Sequence, residues 1–348
     1  MEDTFNTRVV LQAYPPKDVH TTSCFTIDRS QPVPDASALQ LGQVLVKTEA
    51  LSIDPHHRLY IDAPGESGPG EEFRYPLGQP IFGIGVGTVV ASRSDSYSIG
   101  DWVRGDELPW QAYTVISDQA LTKLPKTTSA PLLDHIGVLG MPAFTAYLGI
   151  VTVGRPKRGE TLLVSAASGA VGQIAVQLGK VNGLRVVGVA GSDDKVEHIK
   201  HLGADAVINY KACEDYARAI SQAAPEGIDI YFDNVGGEFL DAALLNLNRH
   251  ARVVICGSIS TYAADKSKIA GVKNLDTTIV KEVTLQSIYY QPHLGTLVEA
   301  DFLEEMAQMV ACGQIEFKTD ERIGLESAPQ ALVDLFTGRN FGKLIVRL

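Results

Sequence analysis

The sequence predicts an α/β protein in which a β-rich first domain precedes a doubly wound, parallel-sheet domain. Three observations lead there. Residues 1–128 hold short β-like runs broken by glycine and proline, among them 43–46, 85–91 and 112–116. From about 132 to 294, apolar runs alternate with helical patterns, at 161–165, 185–190, 206–209, 228–233, 252–256 and 282–288. Continuous apolar runs separated by helices are what a sheet buried on both faces requires. The third is a glycine turn between the first of these runs and its helix.

The chain has 348 residues, a length that suits two domains. Its opening, MEDTFNTRVVLQAYPP, lacks the basic start and apolar run of a secretory signal, and no stretch approaches a membrane span. The expected location is cytoplasmic, with the scattered Cys24, Cys213, Cys256 and Cys312 kept as reduced thiols. Residues 63–80 concentrate glycine, proline and glutamate and read as a mobile surface loop. The last stretch reads as a helix near 302–312, a segment 316–323, a helix near 328–337 and a strand 343–347. Hydrophobic residues at 45 % exclude a disordered chain, and a net charge of −11 argues against nucleic acid or anionic lipid as a partner.

The turn carries the chemistry. It reads Ala167-x-Gly169-x-x-Gly172, a dinucleotide fingerprint with alanine in the first glycine position. Gly169 lets the backbone approach a pyrophosphate, and Gly172 lets the helix that starts near Val171 pack on the strand. The helix start then offers free N–H groups to phosphate. The second strand ends Val189-Ala190-Gly191-Ser192, with no acid to bond the ribose hydroxyls of NAD. Small residues there leave room for a 2′-phosphate, and Lys195 stands one helical turn on. Asp193 and Asp194 weigh mildly the other way, although acids also suit a first helical turn. The expected cofactor is NADPH.

Eight segments together resemble the zinc-independent medium-chain dehydrogenases/reductases of the prostaglandin reductase (leukotriene B4 12-hydroxydehydrogenase) and alkenal double-bond reductase family. They are LSIDPHHR (51–58), GMPAFTAYLG (140–149), SAASGAVG (165–172), VVGVAGSDDKV (186–196), NYK (209–211), YFDNVGGEF (231–239), CGSISTY (256–262) and GRNFGKLIV (338–346). The resemblance covers nearly the whole chain. It implies a GroES-like catalytic domain at 1–128, a Rossmann NADP-binding domain at 129–295, and a segment 296–348 returning to the catalytic domain. It also implies site roles. Lys195 and Tyr210 would hold the 2′-phosphate beside Gly191 and Ser192. Ser168, Gly169, Ala170, Val171 and Gly172 would line the pyrophosphate turn. Asn234 and Cys256, Gly257, Ser258 and Tyr262 would border the cofactor's course. Met141 and Thr145 would lie near the nicotinamide, and Asn340 would approach from the returning segment.

Two departures matter. The family commonly reads Asp-Pro-Tyr-Met-Arg where this chain reads Asp54-Pro55-His56-His57-Arg58, which puts a titratable group in place of a pocket tyrosine. After Tyr262 the chain continues Ala263-Ala264-Asp265-Lys266 instead of Asn and a Gly/Pro-rich loop.

No metal is expected. The cysteines are single, no Cys-x-x-Cys occurs, and neighbouring residues such as His56 and His57 would face opposite ways in a strand. His198 and His201 read as a solvated helix face, and Cys256 as a small pocket residue, not a nucleophile. Without a Lewis acid, an alkene conjugated to a carbonyl is an easier hydride acceptor than a simple ketone. The site need only donate hydrogen bonds to the oxygen and a proton to the α-carbon. Tyr262, His56 and Tyr290 are the candidate donors, with the cofactor ribose hydroxyl. The expected substrate is a small α,β-unsaturated carbonyl, and the enzyme a possible homodimer. A quinone or carbonyl reductase, and a non-catalytic NADPH-binding protein, are the alternatives.

Overall fold

The computed structural model describes residues 5–65, 73–126 and 130–348. Residues 66–72, in the expected surface loop, and 127–129, at the expected end of the first domain, lie outside the described residues. The chain forms two compact units: Met1–Ile136 with Thr319–Leu348, and Gly137–Lys318.

The second unit holds a six-stranded sheet in the order Ala206–Asn209, Arg185–Ala190, Thr161–Val164, Ile228–Asp233, Leu247–Ile255, Thr284–Ser287. Every pair is parallel. Counted along the chain this is the order 3-2-1-4-5-6, the Rossmann arrangement. The apolar runs explain it. All four residues of Thr161–Val164 are buried, as are five of the six in Arg185–Ala190, because helices cover both faces. The helices Ala170–Val181, Asp193–His201, Tyr216–Ala223 and Gly237–Leu245 make the crossovers. Val187, Ile208, Tyr231, Phe239, Leu244 and Val253 share one core cluster.

The first unit is built on a second sheet, ordered Thr319–Ile323, Lys343–Arg347, Gln43–Ser52, Phe82–Ser92, Trp102–Pro109, Leu121–Leu124, with Tyr113–Ser117 also on Gln43–Ser52. Its core gathers Leu51, Ile53, Tyr75 and Trp110 with Leu332, Leu344 and Val346 from the chain's end. Burial of side chains like the last two contributes about 1.5–3 kcal/mol each, so the final strand is an integral member of this unit.

The return begins later than expected, at Thr319 instead of 296. The helix Leu297–Ala311 belongs to the second unit because it buries Phe302 and Met306, with the Phe302 ring 4.9 Å from Phe144 and 5.7 Å from Tyr147. The first unit also runs on to Ile136, since the short helix Leu132–Ile136 buries His135 and Ile136. Among the described residues no helix is long and apolar enough to cross a membrane.

Candidate active site

In the second unit, Thr161–Val164 leads into the turn Ser165–Gly169 and then the helix Ala170–Val181. Gly169 is the N-cap and supplies no side-chain cap, so the first-turn N–H groups are left for another acceptor. Gly169, Ala170 and Val171 are half-buried and Ser168 is buried. A Cβ on Gly172 would lie 2.3 Å from the Ala166 carbonyl oxygen, so only glycine allows this close packing. The left-handed residue of the turn is Ala166, at φ 48°, one position before the alanine of the fingerprint.

The second strand's tip is equally specific. A Cβ on Gly191 would fall 2.6 Å from Cε1 of Tyr210 and 2.9 Å from its hydroxyl, so the ring lies across that glycine. Lys195 is 9 % exposed in the first turn of Asp193–His201. The two nearby acids are engaged: Asp193 accepts from the Asn209 amide at 3.0 Å, and Asp194 accepts from the Ser192 hydroxyl. An uncapped helix start, with a lysine and a tyrosine at the strand tip, fits an NADPH phosphate set.

Past the fourth strand, Asn234 donates to the Ser165 carbonyl at 2.7 Å, and its own N–H bonds the Ser165 hydroxyl at 2.9 Å. Cys256 and Gly257 donate their N–H groups to the Asp233 carbonyl at 2.8 and 3.1 Å, which carries 256–258 alongside Asn234. The Ser258 N–H donates to the Tyr262 hydroxyl at 3.1 Å. Burial, chiefly, raises the Tyr262 pKa above 10, so the phenol keeps its proton. Burial also pushes the Cys256 thiol up to about 12, with Asp233 adding to the shift, which does not suit a nucleophile. Met141 and Thr145 are the two half-buried residues of the otherwise buried helix Met141–Tyr147, four apart and so on one face. Tyr290 is half-buried beyond the edge strand, its ring 6.2 Å from Tyr289.

In the first unit, His56 is the N-cap of the short helix His57–Tyr60. The two histidines are therefore not strand neighbours facing opposite ways. Pro55 and the Asp54 carbonyl, which accepts the His57 N–H at 3.2 Å, turn the chain into a helix and leave the rings 4.5 Å apart. Among the described residues no group of three or more His, Cys, Asp or Glu could hold a metal ion. Burial lowers the His56 pKa; the Asp54 carboxylate opposes that shift and the Lys343 ammonium assists it. Asn340 donates its amide to the Gly342 carbonyl at 3.2 Å, at the entry to the last strand.

The family follows from comparison with known proteins. Residues 8–124 match the model for the N-terminal domain of oxidoreductase, and 170–310 that for zinc-binding dehydrogenase. The chain is 40 % identical to the NADPH-dependent curcumin reductase of Escherichia coli, over 88 % of each chain. It is 41 % identical to the NADP(+)-dependent 2-alkenal reductase of Nicotiana tabacum, over 90 % of this chain and 88 % of that one. The chain belongs to the zinc-independent medium-chain dehydrogenases/reductases. The crystal structure of CurA in complex with NADPH from Vibrio vulnificus superposes with a TM-score of 0.88 over 98 % of each chain, at 34 % identity.

Sequence reasoning missed the support of this site. Asp233 is fully buried, and its Oδ1 accepts from the Tyr231 hydroxyl at 2.6 Å, Gly236 N–H at 2.9 Å, Val235 N–H at 3.0 Å and the Ser165 hydroxyl at 3.2 Å. Burial raises its pKa while these donors oppose the shift. The carboxylate thus fixes the Ser165 hydroxyl that holds Asn234; the signal was the acid ending an apolar run. His198 also differs from a solvated face: it is half-buried and burial lowers its pKa, whereas exposed His201 meets Glu316 at 3.1 Å.

His57 carries a stability cost. It is fully buried against Trp110, and neither ring nitrogen has a hydrogen-bond partner among the described residues. Burial, chiefly, holds its pKa well below 6.5. Above pH 6.5 the folded and unfolded ring are both neutral. As pH falls below that value the unfolded chain binds a proton the folded one refuses, and stability is lost. His57→Met should therefore stabilise by about 1–3 kcal/mol and flatten the loss between about pH 7 and pH 5.5, read from melting temperatures. A variant that melts below wild type at both pH values would show the imidazole to be well accommodated.

Proposed function

We infer that this chain is an NADPH-dependent reductase of the carbon–carbon double bond in α,β-unsaturated aldehydes and ketones. The observation that carries this reading is the near full-length likeness to a 2-alkenal reductase and a curcumin reductase, in a chain whose own strand tip presents Lys195 and Tyr210. When bound, NADPH supplies the hydride that adds to the β-carbon. The helix start after Gly169 receives the pyrophosphate, and Lys195 and Tyr210 receive the 2′-phosphate. Tyr262 donates its hydroxyl proton toward the carbonyl oxygen, with Ser258 N–H fixing that hydroxyl. His56 is the second candidate donor and Tyr290 a third. Asn234, Cys256, Gly257 and Ser258 border the cofactor, Met141 and Thr145 its nicotinamide end, and Asn340 contacts it from the returning segment.

The test is NADPH oxidation with crotonaldehyde, benzalacetone and benzoquinone, with products identified. Saturated aldehyde and ketone are expected. Turnover of the quinone alone would replace this reading with a quinone reductase. Activity should also survive a chelator, with less than stoichiometric zinc by elemental analysis. One zinc per chain, with activity lost on its removal, would sink the metal-free chemistry.

The reductase acts as a homodimer in a reducing, cytoplasmic compartment. Its four cysteines are free. The edge strand Thr284–Ser287 exposes all four residues, Leu285 at 40 %, and Ile279, Val280 and Leu297, near it in the chain, are 75 %, 78 % and 81 % exposed. An open edge strand with an exposed leucine, and exposed apolar side chains nearby in the chain, suit a second copy of the same chain. Light scattering should give twice the chain mass, and Val280→Glu with Leu297→Glu should give the monomer. A wild-type monomer at micromolar concentration would refute the dimer.

A further inference from the structure

His56 stands at a corner built on buried charge. Asp54 is 4 % exposed, and its carboxylate accepts from the Lys343 ammonium at 2.7 Å and from the Ser52 hydroxyl. Lys343 is 1 % exposed and also donates to the Ile53 carbonyl at 3.1 Å. The pair joins positions 289 apart in the chain, linking the end of Gln43–Ser52 to Lys343–Arg347. Burial, the largest single effect, would raise the Asp54 pKa, but the Lys343 ammonium, the His56 ring and the Ser52 hydroxyl together hold it at about 2.

A buried ion pair is a weak source of stability. Desolvation of both charges offsets their attraction, and apolar residues of matching volume often serve as well. Its position here gives it another use. The Asp54 carbonyl accepts the His57 N–H, so the residue that grips Lys343 also starts the turn that carries His56. Both charges act on the His56 ring, with opposite sign. The other titratable groups around that ring are His57 at 4.5 Å and Tyr60 at 5.4 Å on the same helix, with Tyr75 beyond them, 6.3 Å from the His57 ring. Burial keeps His57 neutral and the Tyr75 hydroxyl protonated, so neither supplies a competing charge.

We propose that the buried Asp54–Lys343 pair is the positioning element for His56, fixing the corner that carries the imidazole and setting two opposed charges on the turn that leads into it. The proposal rests on the reading of His56 as a proton donor to substrate. In it, the carboxylate favours the protonated ring and the ammonium limits it. The two partners therefore act in opposite directions, which a simple structural staple would not do.

The experiment follows the His56 ring directly. The full-length enzyme, labelled with carbon-13 in its histidine rings, is titrated by NMR without cofactor, and the His56 signal is assigned with His56→Gln. Lys343→Met should raise the His56 proton affinity and Asp54→Asn should lower it, each by about threefold to tenfold. The pH dependence of crotonaldehyde reduction should move the same way. Each single variant leaves one buried charge unpaired, so Asp54→Asn/Lys343→Met, which keeps the volume and removes both charges, guards against misfolding. In that variant the midpoint should shift down, since the carboxylate's effect on the ring is the larger. Unmoved midpoints in folded variants would overturn the proposal and leave the pair a staple. If the midpoints move but His56→Gln retains wild-type turnover and pH profile, the donor role of His56 fails while the electrostatic link stands.

Discussion

Lys195→Ala should raise the KM for NADPH by about tenfold to a hundredfold and change the KM for NADH by less than about twofold. The estimate rests on one charge-assisted contact to phosphate, worth about 1.5–3 kcal/mol. The selectivity of the effect is its signature, because NADH carries no 2′-phosphate for the lysine to meet. Lys195 is nearly buried, at 9 % exposure, so its side chain is already held at the strand tip and little ordering opposes binding. Tyr210 enters through Gly191. Gly191→Ala would drive a methyl group to 2.6 Å from the tyrosine ring and displace it. That variant should weaken NADPH binding without touching any charge. Steady-state kinetics with both cofactors decides the matter. Equal catalytic efficiency of the unmutated enzyme with NADH and NADPH would remove the basis for assigning the pair to the phosphate.

The parallel sheet was legible because burial on both faces leaves unbroken apolar runs, and Ile228–Asp233 and Arg185–Ala190 match the runs read from sequence. Leu247–Ile255 begins earlier than its apolar run because Asn248, Arg249 and His250 are polar and not buried. The ladder pairs Leu247 with Ile228 and resumes at Arg252 with Ile230, so those residues lie in a register shift that no apolar pattern marks. The helix Leu297–Ala311 was read as starting at 302 for the opposite reason: Leu297 is apolar but 81 % exposed, so the periodicity that marks a buried face starts only at Phe302. The glycine turn and the acid-free strand tip were local and therefore visible. The first unit's corner was not. Asp54 and Lys343 meet across 289 positions, and no local pattern marks such a pairing. His56 and His57 were read with strand geometry, which the turn at Pro55 replaces.

Tyr262→Phe should lower kcat for enone reduction by about a hundredfold while leaving the KM for NADPH unchanged. The hydroxyl is the atom at issue: it accepts the Ser258 N–H, and burial keeps it protonated, so its remaining capacity is to donate. One donor to a developing oxyanion is worth about 2.7–4 kcal/mol, and a share carried by the cofactor ribose places the loss at the low end. Phenylalanine preserves the ring, which separates donation from packing. His56→Ala should lower kcat by a smaller factor, because burial holds the imidazole pKa below 6.5 and the ring is a neutral donor at neutral pH. As pH falls toward that lowered value the protonated fraction grows. Wild-type turnover should therefore rise on acidification from about pH 7.5 to pH 5.5, and His56→Ala should be flat over the same range. His56→Gln, which keeps an N–H donor but cannot titrate, should restore part of the rate without the pH dependence. Wild-type turnover in both Tyr262→Phe and His56→Ala would reduce these side chains to pocket walls and assign the proton to water.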